Sequence, residues 1–172
     1  MQSSKPRLVI FTGNGKGKTT SALGVVLQSV GAGEAVYFGQ FLKDGNYSEK
    51  ESLKRLGITY EAFGRAGFIR GEPDADDFRM AHDGFSKIKE AVMSGKYGLV
   101  VADELNIAIF KGLVPLDDVL DLASHIPTGT ELVITGRYAD ERLIRLADSA
   151  TEMCEVRHYY TQGISARRGI EK

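Results

Sequence analysis

The stretch Gly13-Asn14-Gly15-Lys16-Gly17-Lys18-Thr19-Thr20 sets three alternate glycines ahead of a lysine and two threonines. A loop that closes around phosphate needs glycine, because bulky side chains would hold backbone N–H groups away from the oxygens. Gly13, Gly15 and Gly17 meet that need, Lys18 can reach phosphate, and the Thr19 hydroxyl can join a Mg²⁺ ion. A helix starting where the loop ends would point its positive end at the same anion. The whole run, Asn14 and Thr20 included, is therefore a candidate ATP site. Its spacing departs from the common G-x-x-x-x-G-K-[ST] pattern, because the first glycine position, counted back from Gly17-Lys18-Thr19, holds Thr12. The phosphate would then be gripped differently. Lys16 reads equally well as a second phosphate contact or as a solvent-facing lysine.

A second cluster follows the apolar run Leu99-Val100-Val101-Ala102, which ends in Asp103-Glu104. In phosphate-loop proteins an acid after a buried strand binds Mg²⁺, directly or through its waters, and offsets polyphosphate charge. Thr19, Asp103 and Glu104 make the candidate metal set, with Glu104 also in reach of the nucleotide. Asp103 reads alternatively as the N-cap of a following helix, and Glu104 as a solvated residue of its first turn. No Ser-His-Asp or Cys-His constellation offers a protein nucleophile. On these residues alone, phosphoryl transfer or ATP hydrolysis stays open, with Asp103-Glu104 serving Mg²⁺ and a base. So does a nucleotide-dependent binding module without turnover.

These groups need a scaffold that brings distant segments together. Arg7 to Phe11 reads as a buried strand, and Lys18 to Val30 as a helix ended by Gly31. Its apolar residues Ala22, Leu23, Val25, Val26, Leu27 and Val30 cover most of the circumference, which predicts packing on more than one side. Strands are expected at Ala35 to Phe41 and Ile58 to Phe63, with a short helix at Ser48 to Leu56 stopped by Gly57. Gly64 to Asp77 reads as a loop long enough to cover a ligand. Phe78, Ala81, Phe85, Ile88 and Val92 then make one apolar helical stripe for a sheet. Beyond it come a strand at Tyr97 to Ala102 and a helix with Pro115 in its first turn and Leu116, Val119, Leu120 and Ala123 on its buried face. The chain closes with a strand at Glu131 to Thr135, a helix marked by Leu143, Ile144 and Ala147, and a last strand from Thr151 to Tyr160. Such alternation predicts an α/β fold with right-handed crossovers, a mostly parallel sheet and helices on both faces. Ligands of such sheets bind at the strands' carboxyl ends.

Composition sets the outer limits. The 172 residues are expected to form a single domain, 1–172, with 42% apolar and 26% charged residues in ordinary soluble proportions. A net charge of -1 supplies no overall field for nucleic acid. The single cysteine, Cys154, cannot make an internal disulfide, which suits a reducing cytoplasm. Met1 to Pro6 is polar and no run reaches membrane-spanning length, so neither a signal peptide nor a membrane partner is expected.

Five marks in fixed order carry a further reading: Thr12 to Thr20, Gln40-Phe41-Leu42-Lys43, Asp103-Glu104-Leu105-Asn106, Thr135-Gly136-Arg137 and Gly169-Ile170-Glu171. Together, and with the unusual loop spacing, they resemble the ATP:corrinoid adenosyltransferases over nearly the whole chain. The resemblance implies a three-layer, RecA-like phosphate-loop fold and a homodimer. It implies a reaction in which Co(I) of a reduced corrinoid, of cobalamin or cobyrinic acid a,c-diamide type, attacks C5′ of ATP and expels triphosphate. It implies ATP bound with its phosphates reversed relative to ordinary phosphate-loop enzymes, Mg²⁺ or Mn²⁺, a flavin-dependent electron donor, and a place in cobalamin biosynthesis. The corrinoid then supplies the nucleophile, and the protein supplies positioning and charge stabilisation.

By the same resemblance Lys18, the loop N–H groups and Mg²⁺ stabilise the leaving triphosphate. Phe68 in Gly67-Phe68-Ile69-Arg70 corresponds to an aromatic residue that presses on the corrin and displaces cobalt's lower ligand; ordinary packing beneath a loop is its other reading. Arg70 stands where some members carry tryptophan. Arg137 reads either as a polyphosphate contact that orders the site or as an ion pair at a helix start. Arg167, Arg168 and Lys172 read as a solvated tail or as contacts to anionic ligand groups, Arg167 standing where relatives often have glutamine. His158, Tyr159 and Tyr160 are assigned no chemistry.

Overall fold

A computed structural model describes residues 7–44, 46–65, 71–157, 167 and 169. Its elements run β1 (Arg7–Thr12), α1 (Lys18–Gly31), β2 (Val36–Phe41), α2 (Ser48–Arg55), β3 (Thr59–Phe63), α3 (Ala75–Met93), β4 (Leu99–Asp103), α4 (Leu105–Phe110), α5 (Leu116–Ser124), β5 (Glu131–Thr135), α6 (Glu141–Leu146) and β6 (Ser149–Glu152). The six strands form one sheet in the order β3-β2-β4-β5-β1-β6, and every pairing is parallel. Parallel neighbours need crossovers, and the helices supply them on both faces, which is why β2 and β4 are buried along their whole length. None of the described helices is long and apolar enough to cross a membrane.

Strand alternation divides the core in two. Val36, Phe38, Leu99, Val101 and Val133 project to one face, where Ala22 and Val26 of α1 and Leu53 of α2 cover them. Leu8, Ile10, Tyr37, Val100, Ala102, Leu132 and Ile134 project to the other, beneath α3, α4, α5 and α6. Continuing the same period of two to the carboxyl ends places Gln40, Asp103 and Thr135 on the α1 face. Pairing brings them level, with Gln40 opposite Asp103 and Thr135 opposite Phe11.

Several elements differ from their sequence expectations for identifiable reasons. α1 buries one side only, through Lys18, Ala22 and Val26, and Leu27 is 62% exposed. A single sheet face is all the cover that helix receives. Gly31 is its last residue, and the left-handed turn falls on Gly33 at φ 85°. α3 starts at Ala75, inside the expected loop, because Asp74 caps it. The Asp74 carboxylate accepts from the backbone N–H groups of Asp76 at 3.0 Å and Asp77 at 3.1 Å, while Asp77 accepts from Asp74 N at 3.0 Å. Phe78 leaves the core stripe. It lies in the first turns of α3 and lines an open groove of about 480 Å³ with Leu113 and Pro115. Pro115 is the N-cap of α5, one place before the first turn. β4 starts at Leu99 and takes in Asp103, two residues inside the expected start and one past the expected end, and α4 is a short helix that periodicity did not delimit. β6 begins at Ser149 and ends at Glu152, where the chain leaves the sheet; His158, Tyr159 and Tyr160 lie outside the described residues.

The α3 face is packed through glycine. A Cβ on Gly84 would lie 2.5 Å from Phe63 Cγ, and one on Gly39 would lie 2.8 Å from Ile88 Cδ1. Both glycines make room for large side chains from the facing layer. Helix propensity favours Ala over Gly by about 1 kcal/mol, but overpacking costs about 1–3 kcal/mol. Because the added Cβ would meet three Phe63 atoms at 2.5–2.8 Å, overpacking is expected to win, and Gly84→Ala to cost up to about 2 kcal/mol in urea unfolding. A variant as stable as the parent would contradict this packing.

Candidate active site

The loop after β1 is shaped by the chain that follows β6. Met153 N donates to Thr12 O at 2.8 Å, and Gly15 N donates to Met153 O at 2.6 Å. A Cβ on Gly13 would lie 2.5 Å from Met153 O, and one on Gly15 2.8 Å from Cys154 O. These glycines thus serve the fit to residues 153–154 as well as any anion. Gly13 and Gly17 take positive φ, 96° and 119°. Thr12, at the usual first glycine, stays in the strand, and its buried hydroxyl accepts from Ala139 N at 3.2 Å. The left-handed turn has moved one residue along.

Lys18 opens α1 yet is only 9% exposed. Its Nζ donates to Gly13 O at 2.8 Å and Gly15 O at 2.7 Å, so the loop's own carbonyls hold the ammonium. Burial lowers its pKa most, Arg137 adds to the lowering, and Glu104 and Asp103 oppose it. A lysine held this way can exchange carbonyl partners for phosphate oxygens over a short distance.

Asp103 is completely buried at the end of β4. Its Oδ1 accepts from Thr19 Oγ1 at 2.8 Å and Thr135 Oγ1 at 2.6 Å. Its Oδ2 accepts from Gln40 Nε2 at 2.9 Å and Lys43 Nζ at 3.2 Å. Burial pushes the carboxyl pKa up, but the Lys43 charge and the hydrogen bonds outweigh that, and the net shift is downward. The donors are themselves fixed. Gln40 Nε2 also donates to Glu49 Oε1 at 3.1 Å, and Gln40 Oε1 accepts from the Tyr60 hydroxyl at 2.8 Å. The Thr135 hydroxyl also accepts from Glu104 N at 3.0 Å. For Lys43, the attraction of Asp103, Glu104 and Glu49 exceeds the effect of burial, so its pKa is raised.

Glu104 follows in the left-handed region at φ 62°. It precedes α4 without capping it by its side chain, and Asp103 is no N-cap either, since its carboxylate turns to Thr19 and Thr135. Two residues on, Asn106 Nδ2 donates to Gly136 O at 3.1 Å; Asn106 Oδ1 is buried with no hydrogen-bond partner among the described residues. Gly136, at φ 126°, lets the chain pass Asn106, whose Cβ lies 3.0 Å from where a Gly136 Cβ would stand. Arg137 is exposed at the rim, and its charge acts on both Lys18 and Glu104.

The structure thus brings together Gly13, Gly15, Gly17, Lys18, Thr19, Asp103 and Glu104, with Arg137 at the edge. Asn14, Lys16, Thr20 and Arg167 are exposed. Phe68, Arg70, Arg168 and Lys172 lie outside the described residues. Sequence reasoning counted Gln40, Lys43 and Thr135 among its five ordered marks without giving them a role, and missed Glu49 and Tyr60. A further signal was present: Gln40 and Thr135 are polar residues at the carboxyl ends of otherwise apolar strands, in phase with Asp103.

Residues 4–171 match the family model for ATP:corrinoid adenosyltransferase BtuR/CobO/CobP. Over 167 residues the chain is 34% identical to a corrinoid adenosyltransferase of Pseudomonas aeruginosa, covering 95% of this chain and 82% of that protein. It is 28% identical to the corrinoid adenosyltransferase of Escherichia coli strain K12, covering 99% and 87%. Among solved structures it is similar to the flagellar accessory protein FlaH of Methanocaldococcus jannaschii, with a TM-score of 0.55 at 14% identity over 85% of this chain and 70% of that one. That likeness concerns the fold alone.

The donors at this edge fit a small divalent cation. Among the described residues no three His, Cys, Asp or Glu side chains cluster, but Mg²⁺ asks for less: one or two carboxylates, with phosphate and water completing its shell. Thr19 and Asp103 already touch, and Glu104 brings a second carboxylate. Burial and the Asp103 charge hold the Glu104 carboxyl above its ordinary pKa of 4.5. An acid with a raised folded-state pKa adds stability below its unfolded value, and that stability is lost as pH rises through the folded value. At neutral pH without a cation, the Glu104 carboxyl therefore costs stability. Glu104→Gln is expected to raise the urea midpoint at pH 7 in metal-free buffer, with the gain shrinking as pH falls toward 4.5 and absent below it. An equal or lower midpoint at pH 7 would contradict the charge conflict.

Proposed function

The chain belongs to the ATP:corrinoid adenosyltransferase family, and from that membership we propose that it transfers the 5′-deoxyadenosyl group of ATP to Co(I) of a reduced corrinoid, releasing triphosphate. The observation that carries this reading is the loop and its lysine. They form a polyphosphate cradle in a chain whose family moves the adenosyl group.

The electron pair of Co(I) forms the cobalt–carbon bond at C5′, the C5′–O5′ bond breaks, and its pair departs with triphosphate. Cobalt becomes Co(III). The cob(I)alamin and cob(I)yrinic acid a,c-diamide forms are the substrates in view. Triphosphate leaves as a weak base, so no side chain has to deliver a proton to it. This agrees with an edge that gathers cations and N–H donors and aligns no protein nucleophile among the described residues.

The residues divide the work. The loop N–H groups other than that of Gly15, which donates to Met153 O, and the first turn of α1 face the polyphosphate, and Lys18 turns from Gly13 O and Gly15 O to its oxygens. Thr19, with Asp103 and Glu104 directly or through water, would hold Mg²⁺ or Mn²⁺, which supplies further neutralisation of the leaving charge when bound. Arg137 adds positive charge from the rim. Gln40, Lys43 and Thr135 fix the Asp103 carboxylate and so the direction of its oxygens.

A phosphohydrolase reading draws on one feature, the raised pKa of Glu104 beside Asp103, which would suit a general base. Product identity separates the two. Anaerobic incubation with ATP, Mg²⁺ and chemically reduced corrinoid is expected to give a light-sensitive adenosylated corrinoid and an equal amount of triphosphate. ADP and phosphate without adenosylated corrinoid would contradict the proposal. Lys18→Ala is expected to lower kcat by about 10²–10³-fold, the scale of losing one preorganised charge contact, with circular dichroism unchanged. Unaltered kinetics would remove Lys18 from the cradle.

A further inference from the structure

We propose that Lys43 is a resident counter-ion that keeps divalent cations off Asp103 until a polyphosphate arrives, an inference that rests on Thr19, Asp103 and Glu104 being the metal site. The starting point is the saturation of Asp103. A carboxylate has about four lone-pair sites, and the four side-chain donors to Asp103 take two on each oxygen. A cation binding that carboxylate directly must displace one of them.

Three of the four are held in place. Thr19 belongs to the first turn of α1, and Thr135 ends β5 with its hydroxyl also bonded by Glu104 N. Gln40 lies inside the buried run of β2 and is locked by Tyr60 and Glu49. Lys43 is the least firmly held. It lies past the end of β2, after Leu42 at φ 59°, and its side chain keeps 17% exposure. Its 3.2 Å contact is the longest of the four. It also has other anchors, Glu49 Oε1 at 3.7 Å and the Tyr47 ring at 4.9 Å from its centroid. Lys43 can release Asp103 and still be paired.

Charge makes the release conditional. An ammonium and a divalent cation on one carboxylate repel each other, and water reaches this buried position poorly enough that screening is weak. Lys18 does not share the task, since loop carbonyls hold it. A bound polyphosphate changes the balance, because its negative charge attracts the cation and offers Lys43 a new partner. Cation and nucleotide then enter together, and the cation alone is turned away.

Mn²⁺ binding to the nucleotide-free protein, read from the free-ion signal in electron paramagnetic resonance, tests this without turnover. Lys43→Met is expected to bind Mn²⁺ about tenfold or more tightly than the parent, as loss of a like charge at contact distance requires, and Lys43→Gln should do the same if the methionine variant folds poorly. Lys43→Arg should stay close to the parent, and Lys54→Met, a charge removed from the exposed side of α2, should leave affinity unchanged. Adding Asp103→Asn to Lys43→Met should erase the gain. A Lys43→Met affinity equal to the parent's, or a gain matched by Lys54→Met, overturns the proposal. If Asp103→Asn alone weakens Mn²⁺-dependent ATP binding while Lys43→Met gains nothing, only the role of Lys43 fails. If Asp103→Asn changes neither measurement, the metal-site reading fails with it.

Discussion

The Asp103 carboxylate, charged and wholly buried, is the constraint around which the carboxyl edge of the sheet is organised. Removing one charge from water costs several kcal/mol unless hydrogen bonds and a counter-ion replace the solvent. Here the replacement comes from Thr19, Gln40, Lys43 and Thr135, on three separate segments of the chain. No local stretch could supply all four. Only a parallel sheet that sets β5 between β4 and β1, with α1 lying over that face, brings them within reach. The fold and the burial of Asp103 therefore require one another.

The same arrangement separates fixed groups from exchangeable ones. Thr135 and Gln40 have every polar atom of their side chains engaged, which makes them rigid supports. Lys18 sits on carbonyl oxygens of the loop it will share with a ligand, and Lys43 sits between carboxylates. Each lysine is pre-positioned and desolvated at modest cost. Preorganised cations of this kind stabilise charge that develops on a leaving group without reorganising at the moment of reaction. For the proposed reaction that is the main demand on the protein, since the attacking atom would belong to the substrate.

The sequence exposed the parts whose chemistry is local. Glycine spacing, Lys18 and Thr19 identify the phosphate loop, and apolar runs ending in polar residues locate β1, β2, β4 and β5 with small shifts at their ends. Less of the support was legible. Gln40 and Thr135 acquire meaning only through strand register, which a single strand does not reveal. Their phase with Asp103 was visible, but their adjacency was not. Asp74 and Asp77 show why α3 began earlier than its apolar stripe: the cap is polar, and the stripe starts a turn later. Leu27 and Phe78 err the other way, since an apolar residue at the right period packs only if a neighbouring layer extends that far. The seat of the loop against Met153 and Cys154 depends on β6 meeting β1, a contact between chain segments about 140 residues apart.

The central claim is that the loop holds the part of ATP that departs, which fixes the bond that breaks. ATP carrying ¹⁸O at the bridging 5′ oxygen decides this in one turnover with reduced corrinoid. Cleavage between C5′ and O5′ places all the label in triphosphate and none in the adenosylated product, and that is the predicted result. Label retained with the nucleoside, or found in ADP, would contradict it.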